Sequence, residues 1–368
     1  MKAALFVPVR YTGPAPAPGW PTSTSQYSTE LGERSMNAAL NQFRLADEVG
    51  FDWVTVAEHH YSPFSLTPNP MVLAGALTQT IKRAKIALLG ATIPILNPIR
   101  VAEEFAMLDT MTGGRIVAGM LRGSPNEYAT YNINPAESRE RFEEALHLIR
   151  MCWTETDPFG WRGRYYEYRT VSIWPKPVQK PYPQIFMSGS SPESGEFAAK
   201  NRIGLGLAFT NVPLAKKSVE VYREHAERAG WTPTDKDIIY RVLFHVGETD
   251  DQAIEDYSAA AKVAPRGSLT MANKSLESAV DSAGYYGRDR DAQRERLMPT
   301  DLKQSIDLGR VLLGSPDTVV KQIEHIHREL GAGILDLTIS NDLGDKTLRS
   351  IELVGSKVLP RIKGIGNA

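Results

Sequence analysis

The sequence contains a single cysteine, Cys152, among its 368 residues. One thiol cannot form a disulfide or a thiolate metal cluster within the chain, which fits a reducing compartment, and we expect a cytoplasmic protein. Long apolar runs are also missing, because no stretch approaches the ~20 apolar residues of a membrane-spanning helix. The N-terminal run within residues 1–10 is too short for a signal peptide. We therefore expect a soluble protein with no membrane association.

The chain also lacks an excess of positive charge, with 42 Lys and Arg against 43 Asp and Glu. This balance argues against a nucleic-acid-binding protein, because phosphate binding needs clustered positive charge. Gly204-Leu205-Gly206 lacks the third glycine of a dinucleotide fingerprint. The chain has no HExxH, paired CxxC or G-x-S-x-G motif, so we expect no metal site and no serine-hydrolase site.

Eight short apolar runs alternate with amphipathic segments along the chain. These strand candidates are Lys2–Val9, Asp52–Glu58, Ala84–Ile93, Arg115–Met120, Gln184–Ser188, Gly204–Phe209, Ile238–Val246 and Ile334–Ser340. Most of them lack polar alternation, as is typical of parallel strands covered on both faces. The pattern fits a doubly wound sheet or a closed barrel. The count of eight favours the (β/α)₈ TIM barrel, as a single domain over residues 1–368.

Helical spacing accounts for most of the remaining chain. The predicted helices are Glu30–Val49, Met71–Lys82, Pro98–Met111, Pro135–Trp153, Pro192–Asn201, Leu214–Ala229, Asp250–Val263, Asp317–Leu330 and Asp345–Leu359. Residues 160–176 predict a hairpin, and the Pro- and Gly-rich residues 10–29 predict a long loop. Residues 264–310 are longer than an ordinary barrel connection. They could form a lid over the C-terminal face of the strands, a surface elaboration or a dimer contact.

Polar residues stand at the ends of several predicted strands, and in a TIM barrel these ends line the active site. The second strand ends in Glu58-His59-His60. Histidine exchanges protons near neutral pH and can act as a general acid or base. The alternative is a hydrogen-bonded structural histidine.

Three other strand ends carry weaker signals. Gly90-Ala91-Thr92 could let a flat ring approach the backbone, or could simply pack tightly. Arg122 suits a phosphate or carboxylate, or forms a surface salt bridge. Gly189-Ser190 precedes a helix and could bind an anion, or supply an ordinary serine N-cap.

Four segments of the chain together resemble the flavin-dependent bacterial luciferase-like monooxygenases. They are FDWVTVAEHH (51–60), LNPIRVAEEFAMLDTMTGGRIVAGMLRG (96–123), QIFMSGSSPES (184–194) and LLGSPDTVVKQIEHIHRELGAGILDLTIS (312–340). The resemblance spans nearly the whole chain, and the LD-x-x-[TS]-G-GR pattern is its most specific part. It implies a barrel that binds reduced FMN at the C-terminal ends of the strands.

The resemblance also implies roles for individual residues. His59 matches the catalytic histidine. Because successive strand residues point to opposite sides, His60 would be at most a neighbour, and Glu58, on the side of His60, structural support. Arg122 and Ser190 would bind the FMN phosphate, with Gly189 contributing its backbone. Gly90, Ala91 and Thr92 would lie against the isoalloxazine ring, near an unusual peptide bond. Glu127-Tyr128 resembles an acid–aromatic pair near the flavin, and Asn97 would line the same region.

The activity implied by the resemblance is that of a two-component monooxygenase. A separate flavin reductase would supply reduced FMN, and O₂ would give a flavin peroxide that oxidises a small organic substrate by hydroxylation, Baeyer–Villiger insertion or aldehyde oxidation. Leu121 replaces the reactive cysteine of the luciferases, which argues against light emission. A homodimer is also implied. The alternatives are a deazaflavin-dependent oxidoreductase on the same barrel and a non-catalytic flavin-binding subunit.

Overall fold

Eight parallel strands form a closed barrel in this protein. A computed structural model describes residues 1–14, 19–189, 191–208, 210–263, 301–339 and 343–366. The barrel strands are β1 (Lys2–Phe6), β2 (Trp53–Val56), β3 (Lys85–Thr92), β4 (Ile116–Leu121), β7 (Ile185–Ser188), β8 (Gly204–Ala208), β9 (Ile238–Val246) and β11 (Ile334–Ile339). The predicted TIM barrel is thus confirmed, with strand ends shifted by a few residues at most.

Pairing between β8 and β9 closes the sheet. Each barrel strand pairs in parallel with its neighbour, in the order β11-β1-β2-β3-β4-β7-β8, and β9 bonds to both β8 and β11. Because all eight strands run in one direction, their carboxyl ends meet at one mouth of the barrel. The sequence-predicted site residues lie at or after the carboxyl ends of β2, β3, β4 and β7, so they belong to that mouth.

The helices cover the outside of the barrel. They are α1 (Thr29–Val49), α2 (Pro70–Thr80), α3 (Pro98–Thr112), α4 (Pro125–Tyr131), α5 (Ser138–Thr154), α6 (Pro192–Lys200), α7 (Val212–Arg228), α8 (Asp250–Val263), α9 (Leu302–Asp307), α10 (Pro316–Leu330), α11 (Asp345–Leu353) and α12 (Leu359–Ile362). Gly50 and Gly113 end α1 and α3 in left-handed conformations, as their sequence positions predict. A π-helical turn, Val354–Val358, joins α11 to α12.

Side chains of the strands divide into two apolar layers. Alternate residues such as Leu5, Val54 and Leu88 pack outward against the helices. A smaller cluster that includes Trp53 and Phe186 fills the inside of the barrel. Both faces of β2 and β11 are buried, which explains why these strands show no polar alternation in the sequence.

Three elements extend the simple barrel plan. The predicted hairpin is present as antiparallel β5 (Phe159–Arg162) and β6 (Glu167–Val171). Strand β10 (Val311–Gly314) was not predicted, and it pairs with Leu243–Val246 at the end of β9. Of the lid predicted over residues 264–310, residues 264–300 lie outside the described part of the chain. Residues 302–307 form the short helix α9 that packs near β10.

Candidate active site at the barrel mouth

His59 follows β2 and faces both a carboxylate and an apolar ring. Its Nδ1 lies 3.3 Å from Oε1 of Glu127, and its side chain is 22% exposed. The ring of Phe64 stands edge-on to the imidazole, with the ring centroids 5.5 Å apart. A partly exposed imidazole with one nitrogen at a carboxylate can present its other nitrogen to a ligand. This geometry suits a proton-exchanging residue.

Glu127 lies on α4, the short helix that follows β4. Ser124 is the N-cap of this helix and forms a capping box with Glu127. The backbone N–H of Ser124 donates to Oε2 of Glu127 at 2.7 Å, and the Ser124 hydroxyl donates to the same oxygen. Burial opposes ionisation of this carboxyl, but the hydrogen bonds from His59 and Ser124 outweigh burial and hold the pKa of Glu127 below its ordinary value. Glu127 therefore presents a fixed negative charge to His59.

Glu58 and His60 contact each other on the opposite side of the strand end. Oε1 of Glu58 lies 3.1 Å from Nε2 of His60, and both side chains are buried. The other carboxylate oxygen of Glu58 accepts the backbone N–H of Thr92 at 3.1 Å. Glu58 thus joins the end of β2 to the end of β3, which agrees with the structural support expected from the sequence.

Gly90 lies where β3 and β4 come very close together. A Cβ atom on Gly90 would lie 2.3 Å from the carbonyl oxygen of Gly119, so no larger residue fits without a backbone shift. The Leu89–Gly90 peptide bond is cis, and the strand pairing shifts register between Leu88 and Ala91. The side chain of Ala91 is buried in the outer apolar layer, so only its backbone can face the mouth. Tight packing therefore accounts for Gly90, and the unusual peptide bond lies where the sequence resemblance implied one.

Arg122 and Gly189 follow two neighbouring strands in matching register. Met120 of β4 pairs with Met187 of β7, and Arg122 and Gly189 each come directly after the last residue of their strand. Gly189 donates its N–H to the carbonyl of Gly206, and a Cβ here would lie 2.2 Å from Ser194. Ser190 lies outside the described residues.

The amino end of α6 follows Gly189 directly. The hydroxyl of Ser191 caps the helix and accepts the backbone N–H of Ser194 at 3.2 Å. Ser191 is therefore an ordinary serine N-cap, which is one of the two alternatives predicted for the start of this helix. A helix amino end offers backbone N–H groups that suit an anion, and this one follows β7, the strand that neighbours β4 and therefore Arg122.

Tyr128 and Asn97 serve local structure in this chain. Tyr128 is buried, packs against Ile95 and donates its hydroxyl to the backbone carbonyl of Arg122. Asn97 is the N-cap of α3, where its side-chain oxygen accepts the backbone N–H groups of Ile99 and Arg100 at 3.0 and 3.2 Å. Tyr128 therefore holds the turn that carries Arg122, whereas the capping oxygen of Asn97 is already occupied.

A cavity of about 560 Å³ opens beside His59, away from Arg122 and Gly189. Its walls come from the loop before α1, the first turns of α1 and the loop between β2 and α2. The lining residues are Tyr11, Pro14, Pro21, Thr22, Ser23, Thr24, Gln26, Tyr27, Gly32, Met36, His59, His60, Tyr61, Ser62, Pro63, Ser65, Leu66 and Pro68. Cavities of this size are typical of small-molecule sites.

Sequence reasoning placed Glu127 near the flavin but missed its contact with His59. The S-x-x-E pattern of Ser124 and Glu127, a capping-box signature, predicts the local bond between them. Nothing in the sequence indicates that His59, 68 residues earlier, approaches the same carboxylate. The cavity was also missed, because residues 10–29 have no periodic pattern.

The barrel mouth thus combines a histidine–carboxylate pair with an adjoining cavity. Polar residues at the carboxyl ends of the strands are typical of α/β-barrel enzymes. Within the described residues, no group of three metal-ligating side chains comes together, and no helix is long and apolar enough to cross a membrane.

The chain belongs to the luciferase-like monooxygenase family, whose sequence profile matches residues 14–333. The oxygenase component of the flavin-dependent trigonelline monooxygenase of Acinetobacter baylyi is 26% identical over 189 residues, which are 50% of this chain and 51% of that protein. The alkanal monooxygenase alpha chain of Aliivibrio fischeri is 26% identical over 345 residues, covering 91% and 94% of the two chains. The first match therefore spans about half of its relative, and the second nearly all of it.

Solved structures share the fold over nearly the whole chain. The monooxygenase RslO1 from Streptomyces bottropensis has a TM-score of 0.75 at 26% identity and covers 98% of this chain and 99% of its own. The 3,6-diketocamphane monooxygenase of Pseudomonas putida, in complex with FMN, has a TM-score of 0.75 at 21% identity, with 98% of each chain covered. An F420-dependent secondary alcohol dehydrogenase has a TM-score of 0.71 at 19% identity, again with 98% of each chain covered. The last two structures, both below 25% identity, show that the barrel fold is shared.

Proposed function

We propose that this protein is the oxygenase component of a two-component, FMN-dependent monooxygenase. The observation that carries the proposal is the position of His59, Arg122 and Gly189 at the carboxyl ends of β2, β4 and β7, around one barrel mouth. Membership of the luciferase-like monooxygenase family supports the same activity. The substrates would be O₂ and a small organic molecule.

Arg122 would bind the FMN phosphate together with the backbone at Gly189 and the amino end of α6. Reduced FMN, once bound, would supply the activation of O₂ and the electrons for substrate oxidation. The cis peptide segment at Gly90 would lie against the isoalloxazine ring. Because the sequence offers no nicotinamide fingerprint, we propose that a separate reductase supplies the reduced FMN.

His59 would exchange a proton with the reacting oxygen or substrate at the imidazole nitrogen that does not face Glu127. The carboxylate of Glu127 would hold the ring orientation through Nδ1, as a positioning residue. The packed interior of the barrel beneath the mouth and the adjoining apolar cavity would limit the access of water to His59.

The role of His59 can be tested with coupled turnover. We expect His59→Ala to lose at least about tenfold in substrate oxidation per reduced FMN consumed, because general acid–base groups typically contribute 10²–10⁴-fold. His325→Ala changes an exposed histidine on α10 and is the matched control. Equal coupling in both variants would remove His59 from the mechanism.

Arg122 offers a separate test of the cofactor site. We expect Arg122→Ala to weaken FMN binding about 10- to 100-fold, because a charge-assisted hydrogen bond contributes about 1.5–3 kcal/mol. Riboflavin lacks the phosphate, so its affinity should be the same for both proteins. A loss of affinity for riboflavin as large as that for FMN would contradict the assignment of Arg122 to the phosphate.

The rival activity is deazaflavin-dependent hydride transfer, because an F420-dependent secondary alcohol dehydrogenase shares the fold. The proposed phosphate site at Arg122 and Gly189 does not by itself separate FMN from F420. Direct affinity measurements with FMN and with F420 distinguish them, and a clear preference for F420 would overturn the monooxygenase proposal. A protein that binds FMN without any coupled oxidation would instead fit a non-catalytic flavin-binding subunit.

A homodimer remains part of the proposal. It is expected from the family resemblance and from the general frequency of two-fold assemblies. Light scattering on the purified chain tests the assembly. A monomer at micromolar concentration would contradict the dimer.

A further inference from the structure

We infer that the cavity beside His59 is the substrate pocket and that it selects an uncharged, ring-containing organic molecule over a charged one. The inference rests on the proposed function, because it assigns the second ligand of that same site. It goes further by naming the chemical class of the substrate.

The position of the cavity separates it from the flavin side of the mouth. None of the proposed flavin-binding residues that the structure describes lines this cavity, whereas His59 does. The imidazole of His59 therefore stands at the boundary, with Nδ1 towards Glu127 and its ring at the cavity wall. A molecule in the cavity would contact the residue that we propose to act on it.

The two histidines of the cavity wall already face carboxylates within the protein, His59 facing Glu127 and His60 facing Glu58. Among its eighteen lining residues, all from the described part of the chain, there is no Asp, Glu, Lys or Arg. Arg10 is close in sequence, but its guanidinium packs on the ring of Phe64 at 4.6 Å and lines a different small cavity with Val7 and Ile339. A charged substrate would lose its hydration here without gaining a counter-ion, which disfavours binding.

Several polar groups of the walls are already used within the protein. The hydroxyl of Tyr11 accepts the N–H of Ser28 at 2.8 Å and donates to the carbonyl of Gln26. The hydroxyls of Ser65 and Thr67 bond to each other at 2.5 Å. These bonds reduce the polar surface offered to a ligand, so contact with carbon atoms dominates.

Aromatic rings and prolines give the pocket its shape. Tyr27 stacks on Tyr11 with the ring centroids 5.3 Å apart, and Tyr61 stacks on Trp20 at 5.9 Å. Tyr61 is 56% exposed and adopts a φ of 52°, in the left-handed region that non-glycine residues seldom occupy. Pro14, Pro21 and Pro63 stiffen the same walls. Rigid, flat surfaces of this kind favour a ring system over a flexible chain.

A pair of probes with the same number of non-hydrogen atoms tests the class of ligand. These are 2-acetylnaphthalene, which is neutral, and 2-naphthoate, which is an anion at pH 7.5. Binding is measured by titration calorimetry on the full chain without flavin, so that the result does not depend on turnover. We expect 2-acetylnaphthalene to bind at least about tenfold more tightly, because the anion would lose solvation in the pocket.

Substitutions locate the binding to this cavity. Met36→Glu places a charge in the wall at the first turns of α1 and should weaken 2-acetylnaphthalene binding at least about tenfold. Met107→Glu makes the same change on the exposed surface of α3 and should leave binding unchanged. Ser23→Asp, in the exposed loop before α1, gives a second charged wall if Met36→Glu does not fold.

Three outcomes would overturn the inference. They are equal or tighter binding of 2-naphthoate, no binding of either probe, and equal effects of the wall variants and Met107→Glu. FMN affinity is measured in parallel on the same variants and should not change. A chain that binds the neutral probe in the cavity but no FMN would contradict the proposed function and leave the pocket assignment intact.

Discussion

The imidazole of His59 and the carboxylate of Glu127 meet at 3.3 Å although they are 68 residues apart in the chain. One follows β2 and the other lies on the helix after β4, so the closed barrel brings them together. Because Ser124 holds the second carboxylate oxygen, Glu127 fixes the direction of the His59 ring.

Glu127→Gln removes the charge and keeps the shape. We expect it to lower kcat for the coupled reaction about tenfold with little change in KM, because the imidazole loses the carboxylate that orients it. Steady-state kinetics separate kcat from KM. A loss confined to KM would contradict the positioning role of Glu127.

The same variant should change the pH dependence of stability. The folded state holds the pKa of Glu127 below its ordinary value, so its contribution is present above the unfolded pKa and is lost as pH falls through the folded pKa. Near neutral pH we expect Glu127→Gln to destabilise the protein by about 1–3 kcal/mol. Denaturant unfolding at several pH values should show that the difference in unfolding free energy between the variant and the wild type shrinks in acid. Glu48→Gln, at an exposed pair with Arg44, should stay within about 0.5 kcal/mol of the wild type at every pH.

Gly90→Ala should damage both folding and cofactor binding. Its Cβ would lie 2.3 Å from the backbone oxygen of Gly119, so β3 or β4 must shift, at about 1–3 kcal/mol of stability. Thermal melts and FMN titration measure the two effects. Gly75→Ala is the control, because a Cβ at this position of α2 meets no atom within 4 Å, and it should stabilise the protein by about 0.5–1 kcal/mol. Equal melting temperatures for the two variants would refute this explanation.

Asp336→Asn should destabilise the barrel interior strongly. Asp336 is fully buried, and it accepts Nε of Arg241 at 2.6 Å and the hydroxyl of Thr55 at 2.8 Å. Removing one partner of a buried ion pair costs about 3–5 kcal/mol. Thr55→Val removes the hydroxyl that donates to this carboxylate and leaves the ion pair in place, and it should cost about 1.5–3 kcal/mol. Urea denaturation of the two variants compares these values, and a smaller loss for Asp336→Asn than for Thr55→Val would be unexpected.

His245 should make the protein less stable in mild acid. It lies on β9 with Nε2 3.6 Å from Asp256, which also binds Lys346. Burial lowers the pKa of His245 more strongly than Asp256 raises it. Stability is therefore full above the ordinary pKa of histidine, about 6.5, and falls as the pH drops through that value.

Replacing His245 tests this pH dependence. Melting temperatures of His245→Gln should fall less between pH 7.5 and 5.5 than those of the wild type. His325→Gln, at an exposed position of α10, should follow the wild type. Parallel curves for all three proteins would show that His245 does not contribute.

The barrel and most of its elements could be predicted from the sequence, because buried parallel strands leave apolar runs and helix ends leave glycines. Gly50 and Gly113 end their helices as expected. Strand β10 was missed, since the four residues Val311–Gly314 pair with the end of β9 and precede a helix directly. Their environment is set by a tertiary contact that no local pattern records.

The candidate site was predicted as separate strand ends and not as an arrangement. Glu58 and His60 share a side of the strand because side chains alternate, and this followed from the sequence. The cavity could not be predicted in this way, because its walls are mainly loops. These loops are held by individual tertiary contacts, such as the N–H of Tyr11 donating to the carbonyl of Pro63. Asn97 was assigned to the flavin region, but its capping of α3 shows a local reason for asparagine at that position.

The indole N–H of Trp20 donates to the backbone carbonyl of His60 at 2.8 Å. This bond fastens the loop before α1 to the end of β2, outside the hydrogen-bonded ladder of the barrel. The same loop is bonded to this region again by the N–H of Thr22, which donates to the carbonyl of Tyr61 at 3.0 Å, so a replacement loop should keep both contacts. Grafting loops between relatives at this anchor would reshape one wall and leave the histidine–carboxylate pair in place, which makes residues 10–29 the natural starting point for engineering selectivity.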